Sequence, residues 1–281
     1  MLIFNQQAAL SAHLRTLPDP KTVGLVPTMG ALHNGHLSLL DESLKNNTFT
    51  VISIFVNPTQ FNNPDDLAKY PRTLESDVKK ITALNSSIIV FAPNVDDIYS
   101  GDTVPENFNF DGLENQMEGK FREGHFNGVA TIVKRLFEIV KPNRAYFGEK
   151  DFQQLQIVKK LVSKYKLPVN IVACPIFREH SGLAMSSRNE RLTPAQKQNA
   201  TVIYHTLQSA KAKFGNESAS KIITDVNEFF SKRSDLKLEY FEIADEDTLQ
   251  PIKRKNKNKK YRAFIAVFVD KIRLIDTIAL N

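Results

Sequence analysis

The sequence has little of what staples, exports or anchors a chain. Cys174 is its one cysteine, so it can form no internal disulfide and no multi-thiolate metal site, and a reducing, cytoplasmic setting is expected. The longest apolar run, residues 263–269, is far too short to cross a bilayer. No basic leader followed by an apolar stretch stands between Met1 and Leu14, so neither export nor a membrane partner is expected. The phosphate-loop Lys-Ser/Thr pattern and G-x-G-x-x-G are both missing, which argues against P-loop NTPases and ordinary dinucleotide binding. Basic charge is not spread along the chain. Six cations and no acid lie in residues 253–260, and they equal the whole net charge of +6. The neutral remainder argues against a phosphate-tracking surface, so no nucleic-acid partner is expected. There is no internal repeat.

What is present is an ordinary globular composition, 42% apolar and 24% charged, over 281 residues, enough for one large or two modest domains. Residues 23–26, 51–56, 88–91, 145–147 and 169–173 are short apolar runs that predict buried strands. Between them Leu37, Leu40 and Leu44 share a helical face. Val129, Ile132, Val133, Leu136, Phe137 and Val140 define another, and Leu155, Val158 and Val162 a third. This order predicts an α/β chain with a Rossmann-like parallel sheet, ligands binding along the carboxyl ends of its strands. After Cys174 the pattern changes. An irregular polar stretch covers residues 178–191, and Thr193, Pro194 and Gln196 form a helix-start signature. Helical segments follow to about residue 212 and through Ile222, Ile223, Val226, Phe229 and Phe230, then strand candidates at residues 236–243 and 263–269. A first domain over 1–176 and a smaller C-terminal α+β domain over 177–281, acting as a lid, are expected. The run 253–260 is read as the solvated tip of a hairpin.

The segment from Gly24 to Leu40 is the most informative. It leads a strand through a glycine-containing turn into a helix that starts with His33, Gly35 and His36. A helix start presents free backbone N–H groups and about half a positive charge, which suits a phosphate. Imidazoles there add donors that can follow charge developing on phosphate oxygens, and Gly35 lets a ligand approach the backbone.

His33-Asn34-Gly35-His36 resembles the H-x-G-H signature of the nucleotidylyltransferase superfamily. Taken whole, Val26 to His36 resembles the pantothenate synthetase (pantoate–β-alanine ligase) family, and further blocks follow in the same order. They are Ser53 to Phe61, Tyr70 to Thr73, Glu118-Gly119 with Gly124-His125-Phe126, Phe147 to Gln154, and Gly182 to Asn189. Thr59 departs from the family, which usually has methionine there.

The resemblance implies an ATP-dependent carbon–nitrogen ligase that condenses pantoate with β-alanine through a pantoyl adenylate, releasing AMP and pyrophosphate. It places Pro27, Met29, Gly30, Ala31, Leu32, His33, Asn34, Gly35 and His36 on ATP, with His36 the catalytic histidine and His33 assisting. Gly148, Glu149, Lys150 and Asp151 would meet ATP from the fourth strand, and Phe177, Met185, Ser186, Ser187 and Arg188 from a mobile second motif. Lys150 and Arg188 would act on the phosphates. Gln60 and Gln154 would hold pantoate, with Asn57 and Tyr70 lining the same region for pantoate or β-alanine. Magnesium is expected, with Asp77 the candidate ligand. A homodimer is expected from the family. His125 receives no role, while His13, His180 and His205 are read as structural. Two alternatives stay open at this point: another H-x-G-H enzyme that attaches AMP to a phosphate, and an RNA-binding module using residues 253–260.

Overall fold

The apolar runs of the first half assemble into a sheet because helices cover both of its faces. In the computed structural model, which describes residues 1–281, the strands are β1 (Ile3–Phe4), β2 (Val23–Thr28), β3 (Phe49–Ile54), β4 (Ile89–Phe91), β5 (Arg144–Gly148) and β6 (Asn170–Cys174). They pair in the order β1-β4-β3-β2-β5-β6, every neighbour parallel. Alternate residues point to opposite faces. Leu25, Val51 and Phe91 therefore enter one core, and Val26, Ile52 and Val90 the other.

The covering helices are α1 (Gln7–Thr16), α2 (Asn34–Asn46), α3 (Pro64–Lys69), α4 (Leu74–Leu84), α5 (Val95–Tyr99), α6 (Met117–Phe121), α7 (His125–Val140) and α8 (Phe152–Tyr165). The six apolar positions expected on α7 are all buried. The chain runs outward from β2 through β3 and β4, then returns to lay β5 on the other side of β2. This reversal opens a crevice beyond the carboxyl ends of β2 and β5, where open α/β sheets bind ligands. β1 was not among the expected strands, being two residues long. β3 begins and ends two residues earlier than expected, because the chain then turns into a tight 3-10 turn at Pro58–Gln60.

Beyond Cys174 lie α9 (Pro194–Ala200), α10 (Val202–Phe214), α11 (Ala219–Ser231) and an antiparallel sheet ordered β7-β8-β9, formed by β7 (Lys237–Asp245), β8 (Tyr261–Val269) and β9 (Ile272–Ala279). The Thr193 capping box with Gln196 is present. The helix it starts ends at Ala200 and a new one begins at Val202, giving three helices where two were expected. β8 is apolar from Ala263 to Val269 because it is covered twice. Ile265 and Val267 pack with α10 and α11, whereas Phe264 joins the core of the first sheet. Polar ties reinforce that seam. Arg262 lies over the Phe152 ring at 3.9 Å and donates to Glu149 at 3.1 Å and Glu246 at 2.8 Å. Arg273 forks onto Glu118 with two bonds of 2.7 Å, and Tyr240 donates to Glu118 at 2.8 Å. Residues 253–260 link β7 to β8 and are exposed, as expected of a hairpin tip. No helix is long and apolar enough to cross a membrane.

Candidate active site

After β2 the backbone makes a turn that few residues tolerate: Gly30 has φ +84° and Ala31 φ +50°. The turn is pinned from α4. Asp77 Oδ2 accepts from the Ala31 N–H at 3.0 Å, and Asp77 Oδ1 accepts from the Leu32 N–H at 2.8 Å. The Thr73 hydroxyl donates to the same carboxylate at 3.2 Å, and Lys80, one turn further along α4, donates to the Leu32 carbonyl at 2.6 Å. Asp77 is fully buried and does not line the cleft. This departs from its expected role as a magnesium ligand: its oxygens are committed to backbone amides, and it anchors the turn after β2. Gly30, Ala31, Leu32 and Asn34 likewise build the turn without lining the cleft.

The anchored turn delivers His33 to the N-cap of α2. The His33 N–H donates to Nδ1 of His36 at 3.3 Å, and the two rings stack with centroids 4.0 Å apart. A backbone N–H can only donate, so Nδ1 of His36 carries the lone pair and Nε2 the proton. Desolvation, together with His33, Lys150 and Lys80, holds His36 well below the ordinary histidine range. His33 is lowered to about 4, first by desolvation and then by the same two lysines. Both imidazoles are therefore neutral donors at neutral pH. Gly35 completes the corner: a Cβ there would stand 2.9 Å from the His33 ring.

A second stretch of the wall follows β3. Asn57 is buried, and its Nδ2 donates to the Gly128 carbonyl at 3.1 Å and to Gln60 Oε1 at 3.3 Å. Gln60 directs its Nε2 toward the Met29 sulfur at 3.0 Å, and its own carbonyl meets Nδ1 of the buried His125 at 2.9 Å. The turn holding Gln60 sits directly on α7. A Cβ at Gly128 would lie 2.2 Å from the Thr59 carbonyl oxygen. Gly128→Ala is accordingly expected to cost about 2 kcal/mol through overpacking, read as a Tm several degrees lower in a thermal melt.

From β5 and α8 come Gly148, Lys150, Asp151 and Gln154, all on the cleft wall. Glu149 departs from expectation. It turns away from the cleft to pair with Arg262, at the seam between the sheets. The second motif closes the remaining side with Phe177, Met185, Ser186, Ser187 and Arg188. It is braced by Arg178, which forks onto Asp276 at 2.6 and 3.0 Å and stacks on Tyr204 at 3.8 Å. Across the mouth, Arg188 reaches Asp66 on α3 at 3.4 Å, and Ser187 lies beside the Tyr70 hydroxyl.

These elements enclose an open cleft of about 240 Å³, in which Pro27, Met29, His33, Gly35, His36, Asn57, Gln60, Tyr70 and Gln154 stand together. One cation in an adjoining recess was not expected. Arg122, part-buried between α6 and α7, shares that recess with Lys150, Asp151 and Gln154 and has only Glu118, at 3.9 Å, as an ionic partner. The Glu118 to Phe126 block surrounds it in sequence, but nothing in the residue type announces its direction. Asp151 is the one acid on the cleft wall, and no cluster of three metal-ligating side chains exists. These residues fit a magnesium carried in by nucleotide phosphates, with at most one carboxylate from the chain, and do not form a cage.

The sequence matches the family described as Pantoate-beta-alanine ligase over residues 2–279. It is 63% identical over 282 residues to a pantothenate synthetase of Flavobacterium psychrophilum, covering 100% of both chains. The fold superimposes on a pantothenate synthetase from Thermus thermophilus with a TM-score of 0.91 at 37% identity, covering 100% of this chain and 99% of that one. A pantoate-beta-alanine ligase from Francisella tularensis, complexed with beta-gamma ATP and beta-alanine, gives a TM-score of 0.81 at 34% identity, covering 100% and 98%. With sequence and fold matching from end to end, the chain belongs to the pantoate–β-alanine ligase family and is a carbon–nitrogen ligase.

Proposed function

We propose that the cleft joins pantoate to β-alanine in two steps at the expense of ATP. In the first, a carboxylate oxygen of pantoate attacks the α-phosphorus and pyrophosphate leaves. In the second, the amine of β-alanine attacks the acyl carbon, the carbon–oxygen bond breaks, the amine loses a proton, and pantothenate and AMP depart. The observation that carries this reading is the composition of the cleft lining. Neutral His33 and His36, the cations Lys150 and Arg188, and the uncharged pair Gln60 and Gln154 all line one cleft.

Each of these two sets suits one reactant. Preorganised N–H donors and cations stabilise charge as it moves onto the leaving phosphates, and Arg188 can grip phosphate with two parallel bonds. Amides bind a substrate with hydroxyls and a carboxylate without adding charge. This amide pair also separates the reading from an enzyme that adenylates a phosphate. Magnesium bound to the triphosphate would neutralise part of its charge. Arg122, facing the recess beside Gln154, suits the carboxylate of β-alanine. Residues 185–188 fold over the phosphates and exclude water from the adenylate. The Glu118–Arg273 and Glu149–Arg262 ties support confining this closing role to the motif instead of the whole C-terminal domain. A homodimer in the cytoplasm completes the proposal.

Isotope transfer tests it. With pantoate labelled by ¹⁸O in its carboxylate, one labelled oxygen is expected in the AMP released when β-alanine is present. AMP free of label would exclude the acyl adenylate.

A further inference from the structure

Gln60 has two chemically different ends, and the end that faces the cleft decides what it recognises. The surrounding bonds settle the choice. The Gly128 carbonyl can only accept, so Asn57 must turn its Nδ2 toward it, at 3.1 Å. Asn57 Oδ1 then accepts from the Tyr99 hydroxyl at 2.6 Å and the Thr59 hydroxyl at 3.2 Å. The second Nδ2 hydrogen goes to Gln60 Oε1 at 3.3 Å, which leaves Gln60 Nε2 as the end presented to the cleft, beside Met29.

Tyr99 and Thr59 do not line the cleft, and their hydroxyls lie 2.9 Å apart behind it. Tyr99 is itself held. Its ring is buried, the Arg135 guanidinium stacks over it at 4.6 Å, and Arg135 also bonds the Ile98 carbonyl. Neither amide of this chain of bonds can flip without leaving two donors or two acceptors face to face.

We propose that Tyr99 and Thr59 are positioning residues that act through Asn57 to lock Gln60 as a hydrogen-bond donor. This restricts its position to substrate oxygens, such as the carboxylate or hydroxyl of a hydroxy acid, and disfavours an amine there. The proposal rests on the reading that Gln60 holds pantoate. It also gives a purpose to Thr59, the one departure from the family pattern in this block: a methionine would supply no donor to Asn57.

The test is steady-state kinetics on Tyr99→Phe, Thr59→Val, Thr59→Ser and Gln60→Ala, alone and with Tyr99→Phe added to Gln60→Ala, alongside thermal melts. Tyr99→Phe is expected to raise KM for pantoate about tenfold and Thr59→Val about threefold, with KM for ATP unchanged. Thr59→Ser should behave as the parent. In the Gln60→Ala background, Tyr99→Phe should add little, because there is no amide left to orient. A general structural role would instead lower Tm and move both KM values together, and that result overturns the proposal. If Gln60→Ala raises KM for pantoate but Tyr99→Phe does not, the relay alone falls. If Gln60→Ala leaves it unchanged, the pantoate assignment of Gln60 falls as well. Should Tyr99→Phe fail to fold, the Thr59→Val and Thr59→Ser pair makes the same comparison.

Discussion

His36→Ala is expected to lower kcat by about a hundred- to a thousandfold, the loss typical of removing one preorganised donor from a site of developing charge. KM for ATP should change little, since Lys150, Arg188 and the backbone at the start of α2, which the proposed reading sets on the phosphates, are left in place. Pyrophosphate release from ATP and pantoate, without amine, reads the step directly. A loss under tenfold would remove His36 from the chemistry. The pH profile carries a second signature of the same geometry. Protonating His36 places a hydrogen on Nδ1, against the His33 N–H that now donates to it. It also adds a cation beside Lys150 and Lys80, which with desolvation already hold the group well below its ordinary value. For the free enzyme, kcat/KM should therefore stay level from pH 8 to pH 6 and fall only at lower pH. Bound triphosphate favours the imidazolium, so the acid limb of kcat should lie at higher pH than that of kcat/KM. A limb of kcat/KM centred at the unperturbed histidine value would contradict the buried, neutral donor.

Asp77→Ala should be nearly as damaging although its carboxylate does not line the cleft. The change leaves the Ala31 and Leu32 N–H groups without an acceptor, and Leu32 is fully buried. An orphaned buried amide costs about 1–3 kcal/mol, so a Tm lower by roughly 10 °C is expected for a chain of this size. The released turn also lets His33 and His36 drift, and misplacement of about 1 Å is enough to lower kcat roughly a hundredfold. Asp77→Asn keeps one acceptor and should lie between the two. A magnesium titration distinguishes the anchor from a metal ligand. As an anchor, Asp77 cannot be replaced by more metal, and activity should stay low at every concentration. Recovery at high magnesium would reinstate Asp77 as a ligand.

The contrast between Asp77 and His36 marks how far the sequence could be read. Periodicity exposes β2 through β6 and the buried face of α7, because a strand or helix covered by others must be apolar at regular intervals. β1 is too short for any period, and the break between α9 and α10 has no glycine or proline to mark it. The helix start with His33, Gly35 and His36 is legible because its chemistry is local. Contacts made through space are not. Tyr99 reaches Asn57 from 42 positions along the chain, and Asp77 reaches Leu32 from 45. An acid near a phosphate site suggests a metal ligand from residue type alone, and only the direction of its oxygens shows otherwise. Glu149 is the same case: its neighbours face the cleft, while its own carboxylate is drawn off by Arg262, 113 positions away.

β8 contributes Phe264 to the core of one sheet and Ile265 to the core that backs the other, from adjacent residues. A strand shared in this way ties the fates of both halves of the chain. Peeling the C-terminal sheet away would wet the seat of Phe264 and leave Arg262 without Glu149 and the Phe152 ring. Heat should therefore meet one cooperative unit, with no half-melted species in which the nucleotide-binding half survives alone.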